Sequence, residues 1–281
     1  MQTARNQTRI RIVQSRQNSR VKELRAALSR GPRSSQDPVA LEGLHLVEEA
    51  LRSGLKVTTV FLRQGSEPLL DTLPLASETE VLALPPEVFA SALTTESPQG
   101  VAALALPPHF DPQDLFRRQP LILVAAGLQD PGNMGTLLRS AEAFGATGIL
   151  ALPGTVSQWN PKALRASSGS AFRLPVFAMG EGDAVALLRQ HRLLLLATTV
   201  NGGTPLREMN LNQPCALLIG NEGGGLSQSL LEKADAAVTI PCDGPVESLN
   251  AAVAASIVLY EASRQRSLLS TALASRELTR P

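Results

Sequence analysis

The sequence has three segments whose residue types can bind a ligand and act on it. The first, residues 127–135, contains three glycines and leads into a helical stretch that includes Arg139. A guanidinium at this position either binds an anionic group or is an ordinary exposed cation on a helix surface. Asn133, within the same segment, is a candidate N-cap for that helix.

The second segment, residues 220–227, has four glycines in its first six positions, around Asn221 and Glu222. It lacks the Gly-Lys-Ser/Thr ending of a Walker loop and the G-x-G-x-x-G dinucleotide fingerprint. Four glycines exceed what one tight turn needs, and they allow backbone N–H and C=O groups to contact a ligand directly. The composition therefore favours a ligand-binding loop over a simple turn.

The third segment, residues 240–250, contains Ser248 and Asn250 and leads into a predicted helix that ends at Arg264. Ser248 is the candidate N-cap of this helix. The helix is rich in alanine, which is explained either by close packing or by helix propensity alone. A fourth and weaker segment, residues 197–203, ends a predicted strand with an Asn-Gly-Gly turn.

All four segments follow predicted strands that alternate with predicted helices. Apolar runs predict strands at Leu121–Ala125, Gly148–Leu152, Leu193–Thr198, Ala216–Ile219 and Ala237–Ile240. This alternation is typical of an α/β fold with a mostly parallel sheet and helices on both faces. Ligands of such sheets bind at the carboxyl ends of the strands, where these segments lie.

Residues 1–106 predict a smaller α/β domain in front of this sheet. Its first 14 residues show no helical periodicity, and a helix with Val21, Leu24 and Leu28 on its apolar face follows them. The proline-rich stretch 107–119 predicts an interdomain linker. We therefore expect a second domain over residues 120–266 and a C-terminal tail over residues 267–281.

Composition excludes several classes of protein. The 281 residues suit two domains, and 43% apolar residues suffice for a packed core. Aromatic residues make up only 3%, which disfavours a strand platform for base stacking. Two cysteines, Cys215 and Cys242, and three scattered histidines predict no metal site. The N-terminus has no apolar signal core and no apolar run approaches about 20 residues, so we expect a cytoplasmic protein without a membrane segment.

The charge is unevenly distributed along the chain. Residues 1–35 carry nine Lys or Arg and one acidic residue, whereas the remainder carries 17 bases and 24 acids. A basic end on an acidic body is interpreted either as a polyanion-binding arm or as a solvated helix face. We favour nucleic acid as the partner of this basic segment.

Taken together, the segments resemble the SpoU (TrmH-like) branch of the SPOUT RNA methyltransferases. The family's three motifs are similar to Asn133-x-Gly135-x-x-x-Arg139, to Ile-Gly-Asn-Glu-Gly-x-Gly-Leu-Ser at residues 219–227, and to Ile240-Pro241 followed by Ser248-Leu-Asn250. The N-terminal domain, with Ala-Leu-Glu-Gly at 40–43 and Ser-Pro-Gln-Gly-Val at 97–101, is similar to the L30e-like substrate-binding domain of such enzymes.

The resemblance implies 2′-O-methylation of RNA ribose with S-adenosylmethionine as the cofactor and ribosomal RNA as the expected substrate. It also implies a homodimer and a C-terminal trefoil knot in the SPOUT-type sheet, although knots are rare among proteins in general. The alternatives are a tRNA ribose methyltransferase, a non-catalytic RNA-binding or ribosome assembly factor on the same scaffold, and an ordinary doubly wound nucleotide-binding protein.

The resemblance also assigns roles to individual residues. Arg139 binds the phosphate beside the target ribose and favours its alkoxide, while Asn133 orients the ribose or fixes the loop. Glu222, Ser248 and Asn250 order the site, with Glu222 as an alternative proton acceptor. The residues implied to hold the cofactor, mainly through their backbone, are Thr198, Thr199, Val200, Asn201, Gly202, Leu218, Gly220, Asn221, Ile240, Ser248 and Leu249.

Overall fold

A computed structural model of the protein describes residues 10–32, 34, 36–245 and 247–278, with side chains as far as Leu268. The chain forms two compact units. The first consists of Met1–His109 and Ser157–Arg173, and the second consists of Phe110–Val156 and Leu174–Pro281. The division after His109 falls within the predicted linker, but the return of Ser157–Arg173 to the first unit has no signal in the sequence.

The first unit contains a five-stranded mixed sheet with the strand order β1-β4-β3-β5-β2. Its strands are β1 (Ile10–Ile12), β2 (Val39–Glu42), β3 (Val57–Arg63), β4 (Glu80–Leu84) and β5 (Val101–Ala105), and its first three helices are α1 (Ser19–Arg30), α2 (Leu44–Arg52) and α3 (Pro86–Ala92). The predicted apolar face of α1 is confirmed, because Val21, Leu24 and Leu28 are buried. Strand β1 was not predicted, since three residues are too few for a period-two pattern.

The second unit is built on a seven-stranded sheet with the strand order β10-β12-β9-β11-β6-β7-β8, in which every pair is parallel. In chain order the remaining elements are β6 (Leu121–Ala125), α4 (Pro131–Ala143), β7 (Gly148–Ala151), α5 (Pro161–Ser167), β8 (Val176–Ala178), α6 (Glu181–Gln190), β9 (Leu194–Thr198), β10 (Thr204–Pro205), β11 (Cys215–Ile219), α7 (Gln228–Lys233), β12 (Ala236–Thr239) and α8 (Ala251–Leu278). The predicted parallel α/β architecture is confirmed. The short elements β8, β10 and α5 were not predicted.

The segment Ser157–Arg173, which contains α5, is held in the first unit by ion pairs. Arg165 donates to the buried carboxylate of Glu42 at 2.7 Å, and Arg173 donates to Glu49 at 2.9 Å. Burial alone would raise the pKa of Glu49, but hydrogen bonds from Arg173 and Arg52 outweigh it and lower that pKa. Long-range ion pairs of this kind cannot be read from a single sequence.

The predicted linker 107–119 is not a plain extended connection. Pro112–Phe116 forms a 3₁₀ helix capped by Asp111. Its Leu115 is fully buried in the core of the second unit. The Leu115 side chain occupies the space that a side chain at position 148 would need, and residue 148 is a glycine. This part of the stretch therefore belongs to the second unit.

The two central strands of the large sheet bring their following loops to one edge. All five residues of β6 and all five of β11 are buried, as expected for strands covered on both faces. Ala125 and Ile219 are paired at their carboxyl ends, and Ala126 donates to the Ile219 carbonyl at 2.8 Å. The first two predicted ligand segments therefore begin side by side.

Helix α8 begins at Ala251, three residues after the candidate N-cap Ser248, and it continues beyond the predicted end at Arg264 to Leu278. Residues 267–278 of the predicted tail are therefore helical. The helix packs along α4, where the hydroxyl oxygens of Ser140 and Ser256 lie 2.7 Å apart. In the described part of the chain, no helix is both long and apolar enough to cross a membrane.

Arg266 anchors α8 to the amino edge of the sheet. Its guanidinium donates to the backbone carbonyls of Leu211, Gln119 and Gln213 at 3.0, 2.9 and 2.9 Å. Burial lowers the pKa of this guanidinium. The carbonyls depend on the guanidinium because they lie where irregular chain meets the ends of strands.

Replacing Arg266 should therefore destabilise the protein. Arg266→Leu leaves several backbone carbonyls without a donor, and we expect a loss of about 1–3 kcal/mol in the free energy of unfolding. Urea denaturation followed by circular dichroism measures this loss. Arg264→Leu, two residues earlier on a more exposed side of the helix, is the matched control and should leave the midpoint nearly unchanged. Equal midpoints for the two variants would contradict the anchoring role.

Candidate active site

Asn133 joins the three glycine-bearing segments at the carboxyl edge of the large sheet. Its amide nitrogen Nδ2 donates to Oε1 of Glu222, and its Oδ1 accepts from Nδ2 of Asn250 at 3.0 Å. Each residue comes from a different segment and follows a different strand. Three of the five predicted catalytic residues are thus linked directly by hydrogen bonds.

Asn250, Asn133 and Glu222 form a series of hydrogen bonds, and the start of α8 sets the donor and the acceptor of each one. Oδ1 of Asn250 accepts from the backbone N–H groups of Ala252 and Val253 at 3.0 and 3.2 Å, so Nδ2 of Asn250 can only point outward and donate. Asn133 must then accept with its oxygen and donate with its nitrogen. Glu222 Oε1 must finally act as an acceptor, which is the role of a carboxylate.

Two predicted helix caps are wrong. The N-cap of α4 is Asp130, whose carboxylate accepts from the backbone N–H of Asn133 at 2.9 Å. The capping bonds of α8 are made by Asn250 rather than by Ser248. Asn133 lies at the third position inside α4, and Ser248 lies two residues before Asn250, so neither makes the capping bonds that were expected of it. The Asp130-Pro131 pair is a readable N-terminal signal that the sequence analysis did not use.

The loop that carries Glu222 is closed on itself. The backbones of Asn221 and Gly225 exchange two hydrogen bonds of 3.2 and 3.1 Å, and Oδ1 of Asn221 accepts from Gly223 and Gly224. Gly220 is required for this shape, because a Cβ there would lie 2.6 Å from the Gly225 carbonyl oxygen. The side-chain oxygen of Asn221 is therefore used inside the loop.

The far side of this loop is anchored to α6. The carboxylate of Glu181 accepts from Lys233 and Ser229 at 2.7 Å each, which ties α7 to the start of α6. These hydrogen bonds, that from Lys233 first, lower the pKa of Glu181. The glycine-rich loop is thus held at its beginning by β11 and beyond its end by α7.

Arg139 lies on α4, six residues after Asn133 and about 9 Å further along the helix axis. It is exposed, and no hydrogen-bond or ion-pair partner of its side chain is found among the described residues. Among the described residues, no direct hydrogen bond joins the side chain of Arg139 to Asn133, Glu222 or Asn250. Ser248 is also exposed and lies two residues before Asn250. These two predicted catalytic residues therefore present free polar groups near the linked three.

The predicted cofactor-binding residues line the same edge around β9, β11 and β12. Thr198 Oγ1 donates to the Leu218 carbonyl at 2.8 Å, and the Thr199 backbone N–H donates to the Val238 carbonyl at 3.0 Å. The Val200 carbonyl accepts from Thr239 Oγ1 at 2.8 Å. Asn201 and Gly202 are exposed, Ile240 and Leu249 are half-buried, and Leu218 is fully buried.

Among the described residues of these segments, the hydroxyl of Thr199 is the one buried side-chain oxygen without a hydrogen-bond partner. Its Oγ1 is buried and makes no hydrogen bond with any described residue. Gly203, which the sequence analysis did not select, closes the space around it, since a Cβ at Gly203 would lie 3.0 Å from Thr199 Oγ1. Within the described residues, no group of three or more His, Cys, Asp or Glu is arranged to hold a metal ion.

Comparison with known proteins identifies the two parts of the chain. Residues 120–260 match the model of the SpoU rRNA Methylase family, and residues 18–103 match the MRM3-like substrate binding domain. The 23S rRNA (guanosine(2553)-2′-O)-methyltransferase RlmP of Bacillus subtilis is 33% identical over 248 residues, which is 88% of this chain and 97% of that protein.

Solved structures of this kind superpose over nearly the whole chain. An AdoMet-bound rRNA methyltransferase from Sinorhizobium meliloti has a TM-score of 0.79 at 30% identity and covers 91% of this chain and 98% of its own. The SpoU methyltransferase AviRb from Streptomyces viridochromogenes, in complex with AdoMet, has a TM-score of 0.78 at 30% identity. Its match covers 89% of this chain and 99% of the AviRb chain. The resemblance inferred from the three motifs is confirmed, and the chain belongs to the SpoU rRNA methylase family.

Proposed function

We propose that the protein is an S-adenosylmethionine-dependent RNA 2′-O-ribose methyltransferase that acts on ribosomal RNA. The observation that carries the proposal is the hydrogen-bonded chain of Asn250, Asn133 and Glu222, which unites the three motif segments at one edge of the sheet. The relatives named for rRNA methylation support the substrate class. Ribosomal RNA as the substrate in turn supports a cytoplasmic place of action.

The residues present fit the cofactor. The buried, partnerless hydroxyl of Thr199 offers a polar contact inside the edge. Residues 200–202, 241–245, 247 and 248 are exposed beside the half-buried apolar side chains of Ile240 and Leu249, and this mixture of polar and apolar surface suits the flat base and the polar tail of the cofactor. The residues that we assign to cofactor binding are Thr198, Thr199, Val200, Asn201, Gly202, Leu218, Gly220, Asn221, Ile240, Ser248 and Leu249. When bound, S-adenosylmethionine supplies an activated methyl group on a sulfonium.

The chain's own residues prepare the ribose hydroxyl. Arg139 is exposed and free, and it binds the neighbouring phosphate through its planar fork while stabilising the negative charge that develops on the 2′-oxygen. It does not take the proton, because arginine remains protonated in proteins. Glu222 receives a hydrogen bond on Oε1 only among the described residues, so Oε2 is open to accept the hydroxyl proton. Asn133 holds that carboxylate in place.

We infer that the protein is a homodimer through α4 and α8. The exposed side of α8 carries Val253, Tyr260 and Leu268, which are 46%, 56% and 59% exposed and are spaced by about two helical turns. Tyr260 contacts Phe144 of α4 edge to face, with ring centroids 5.7 Å apart. Exposed apolar side chains on a helix that packs along α4, the helix that carries Arg139, suit a second copy of the chain, whose substrate this arginine then reaches.

The path of the C-terminal chain supports a trefoil knot. Strand β12 pairs on the outer side of β9, whereas the chain that follows returns to Asn133 and packs α8 along α4, which follows β6. This return crosses the edge where the segments after β9 and β11 lie. We propose that the return passes through a loop of the chain, as in the knotted folds that are exceptions to the usual topology.

We also assign RNA backbone binding to the basic N-terminal segment. Arg11 and Arg20 are paired with Glu80 at 2.8 and 2.9 Å, so they are not its free cations. Exposed residues without a partner among the described residues are Arg16, Lys22, Arg25 and Arg30. Arg5, Arg9 and Arg33 lie outside the described residues. These free cations, on α1 and just before it, bind phosphates without reading sequence.

The hydrogen-bonded chain can be broken without removing the helix cap. Asn250→Asp keeps an oxygen for the N–H groups of Ala252 and Val253 but removes the donor to Asn133. We expect kcat for methylation of ribosomal RNA to fall about 10-fold or more, with an unchanged melting temperature. Asn160→Asp, the same change at the N-cap of α5, is the matched control and should retain full activity. An active Asn250→Asp enzyme would remove the basis of the proposal.

The role of Arg139 is tested by measuring the effect of its replacement on kcat and, separately, on the affinity for S-adenosylmethionine. Arg139→Ala should lower kcat on ribosomal RNA by about 100-fold or more, while calorimetry shows the affinity for S-adenosylmethionine to be nearly unchanged. Arg192→Ala, at an exposed arginine beside the opposite end of β9, is the control. A wild-type protein that methylates tRNA but not ribosomal RNA would redirect the substrate assignment, and normal turnover of Arg139→Ala would refute the catalytic role.

The dimer is tested by placing a charge in its centre. Tyr260→Glu should give a monomer in light scattering, because an unpaired carboxylate in an apolar interface costs several kcal/mol. Leu231→Glu, at an exposed leucine on α7, should leave the oligomeric state unchanged. A monomeric wild-type protein, or a dimeric Tyr260→Glu variant, would contradict the interface.

A further inference from the structure

We propose that Thr155 is a positioning residue for the catalytic loop, acting through Gly127. The inference rests on the proposed function, since the loop in question carries Asn133. Thr155 lies after β7, outside the motifs that point to the family. Its hydroxyl accepts from the Gly127 backbone N–H at 3.0 Å and donates to the Ala125 carbonyl at 2.8 Å.

The hydroxyl continues the sheet at a point where the neighbouring strand has turned away. Leu152 donates to the Ala125 carbonyl at 2.9 Å, as the next residue of a parallel strand does. The Leu152 carbonyl, which would accept the Gly127 N–H in a continuing ladder, instead accepts from the Thr155 N–H at 3.1 Å within a turn. Thr155 Oγ1 therefore accepts the hydrogen bond of the Gly127 N–H in place of the Leu152 carbonyl.

The next residue extends the same attachment. The backbone N–H of Val156 donates to the Leu128 carbonyl at 2.8 Å. Two consecutive residues after β7 thus hold two consecutive residues after β6. The hydroxyl is the part of this attachment that depends on the side chain, and only Ser or Thr at position 155 supplies both an acceptor and a donor of that size.

Gly127 is the point from which the loop direction is set. Its φ of +73° lies in the left-handed region; a Cβ at Gly154 would lie 3.6 Å from its Cα, and a Cβ at Gly127 itself would lie 3.6 Å from Nδ2 of Asn221. Three residues later Asp130 caps α4, and three residues after that Asn133 bridges Glu222 and Asn250. A shift at Gly127 therefore moves the start of α4 relative to the glycine-rich loop.

The chain contains a matched control at the other end of β6. Thr147 accepts from the Leu121 backbone N–H at 3.3 Å and donates to the Leu121 carbonyl at 3.2 Å through its hydroxyl. The chemistry of this hydroxyl is similar, but it lies at the amino edge of the sheet, away from the loops. Removing it therefore reports what the loss of such a hydroxyl does to stability alone.

The experiment compares Thr155→Val, Thr155→Ser and Thr147→Val in the full-length protein. Thr155→Val should lower kcat on ribosomal RNA by about 10-fold with an unchanged KM for S-adenosylmethionine, because misplacement of a catalytic group slows the chemical step. Thr155→Ser should stay within about twofold of the wild type, since it keeps the hydroxyl. Thr147→Val should retain the wild-type kcat. Full kcat for Thr155→Val, or equal losses for the serine and valine variants, would overturn the inference.

Amide hydrogen exchange gives a second readout that needs no activity. Peptides covering residues 126–133 should exchange faster in Thr155→Val than in Thr155→Ser or Thr147→Val, because the Gly127 N–H has lost its acceptor. Unchanged exchange there overturns the inference even in an active enzyme. If the wild type does not methylate RNA, the proposed function fails while this exchange comparison still decides the positioning role. If Thr155→Val does not fold, Thr155→Ala replaces it.

Discussion

The arrangement of polar residues at the carboxyl edge of the large sheet depends on one constraint: the first free N–H groups of α8 fix the orientation of the Asn250 amide. With its oxygen committed to the helix start, Asn250 can only donate to Asn133, and Asn133 can only donate to Glu222. A chain of hydrogen bonds with one allowed direction rigidifies its members more than three independent contacts do. The helix terminus thereby orders a carboxylate that is distant in sequence.

These hydrogen bonds can form because neighbouring strands of the large sheet end at the same edge, so that their following loops start side by side. Parallel strands leave a sheet at the same edge, and the paired ends of β6 and β11 at Ala125 and Ile219 start two loops side by side. The glycine-rich loop then stays compact, since only glycine fits at position 220 against Gly225. The buried apolar strands thus set where the two loops start, while the glycine and polar residues within the loops set the loop conformation.

Much of this arrangement could be predicted from the sequence. Continuous apolar strands such as β6 and β11 indicate a parallel sheet, and the residue types of Asn133, Glu222 and Asn250 at three strand ends indicate a shared site. The caps at Asn133 and Ser248 were wrong because several residues near each helix start can serve as caps; Asp130 is marked by the proline that follows it, whereas no comparable local signal distinguishes Asn250 from Ser248. The return of Ser157–Arg173 to the first unit depends on ion pairs such as Arg165 with Glu42, and these leave no trace in local periodicity.

The hydroxyls at the two ends of β6 explain why its neighbour β7 can be so short. A strand that ends early leaves the backbone groups of a buried partner without hydrogen bonds, and such groups are costly unless they are satisfied. The Thr147 hydroxyl accepts from the Leu121 N–H at one end, and the Thr155 hydroxyl accepts from the Gly127 N–H at the other. Because one side chain replaces a strand residue, the chain is free to leave the sheet at Val156 and enter the first unit at Ser157. The Thr155 hydroxyl therefore permits the chain to leave the sheet here and holds the start of the loop that carries Asn133.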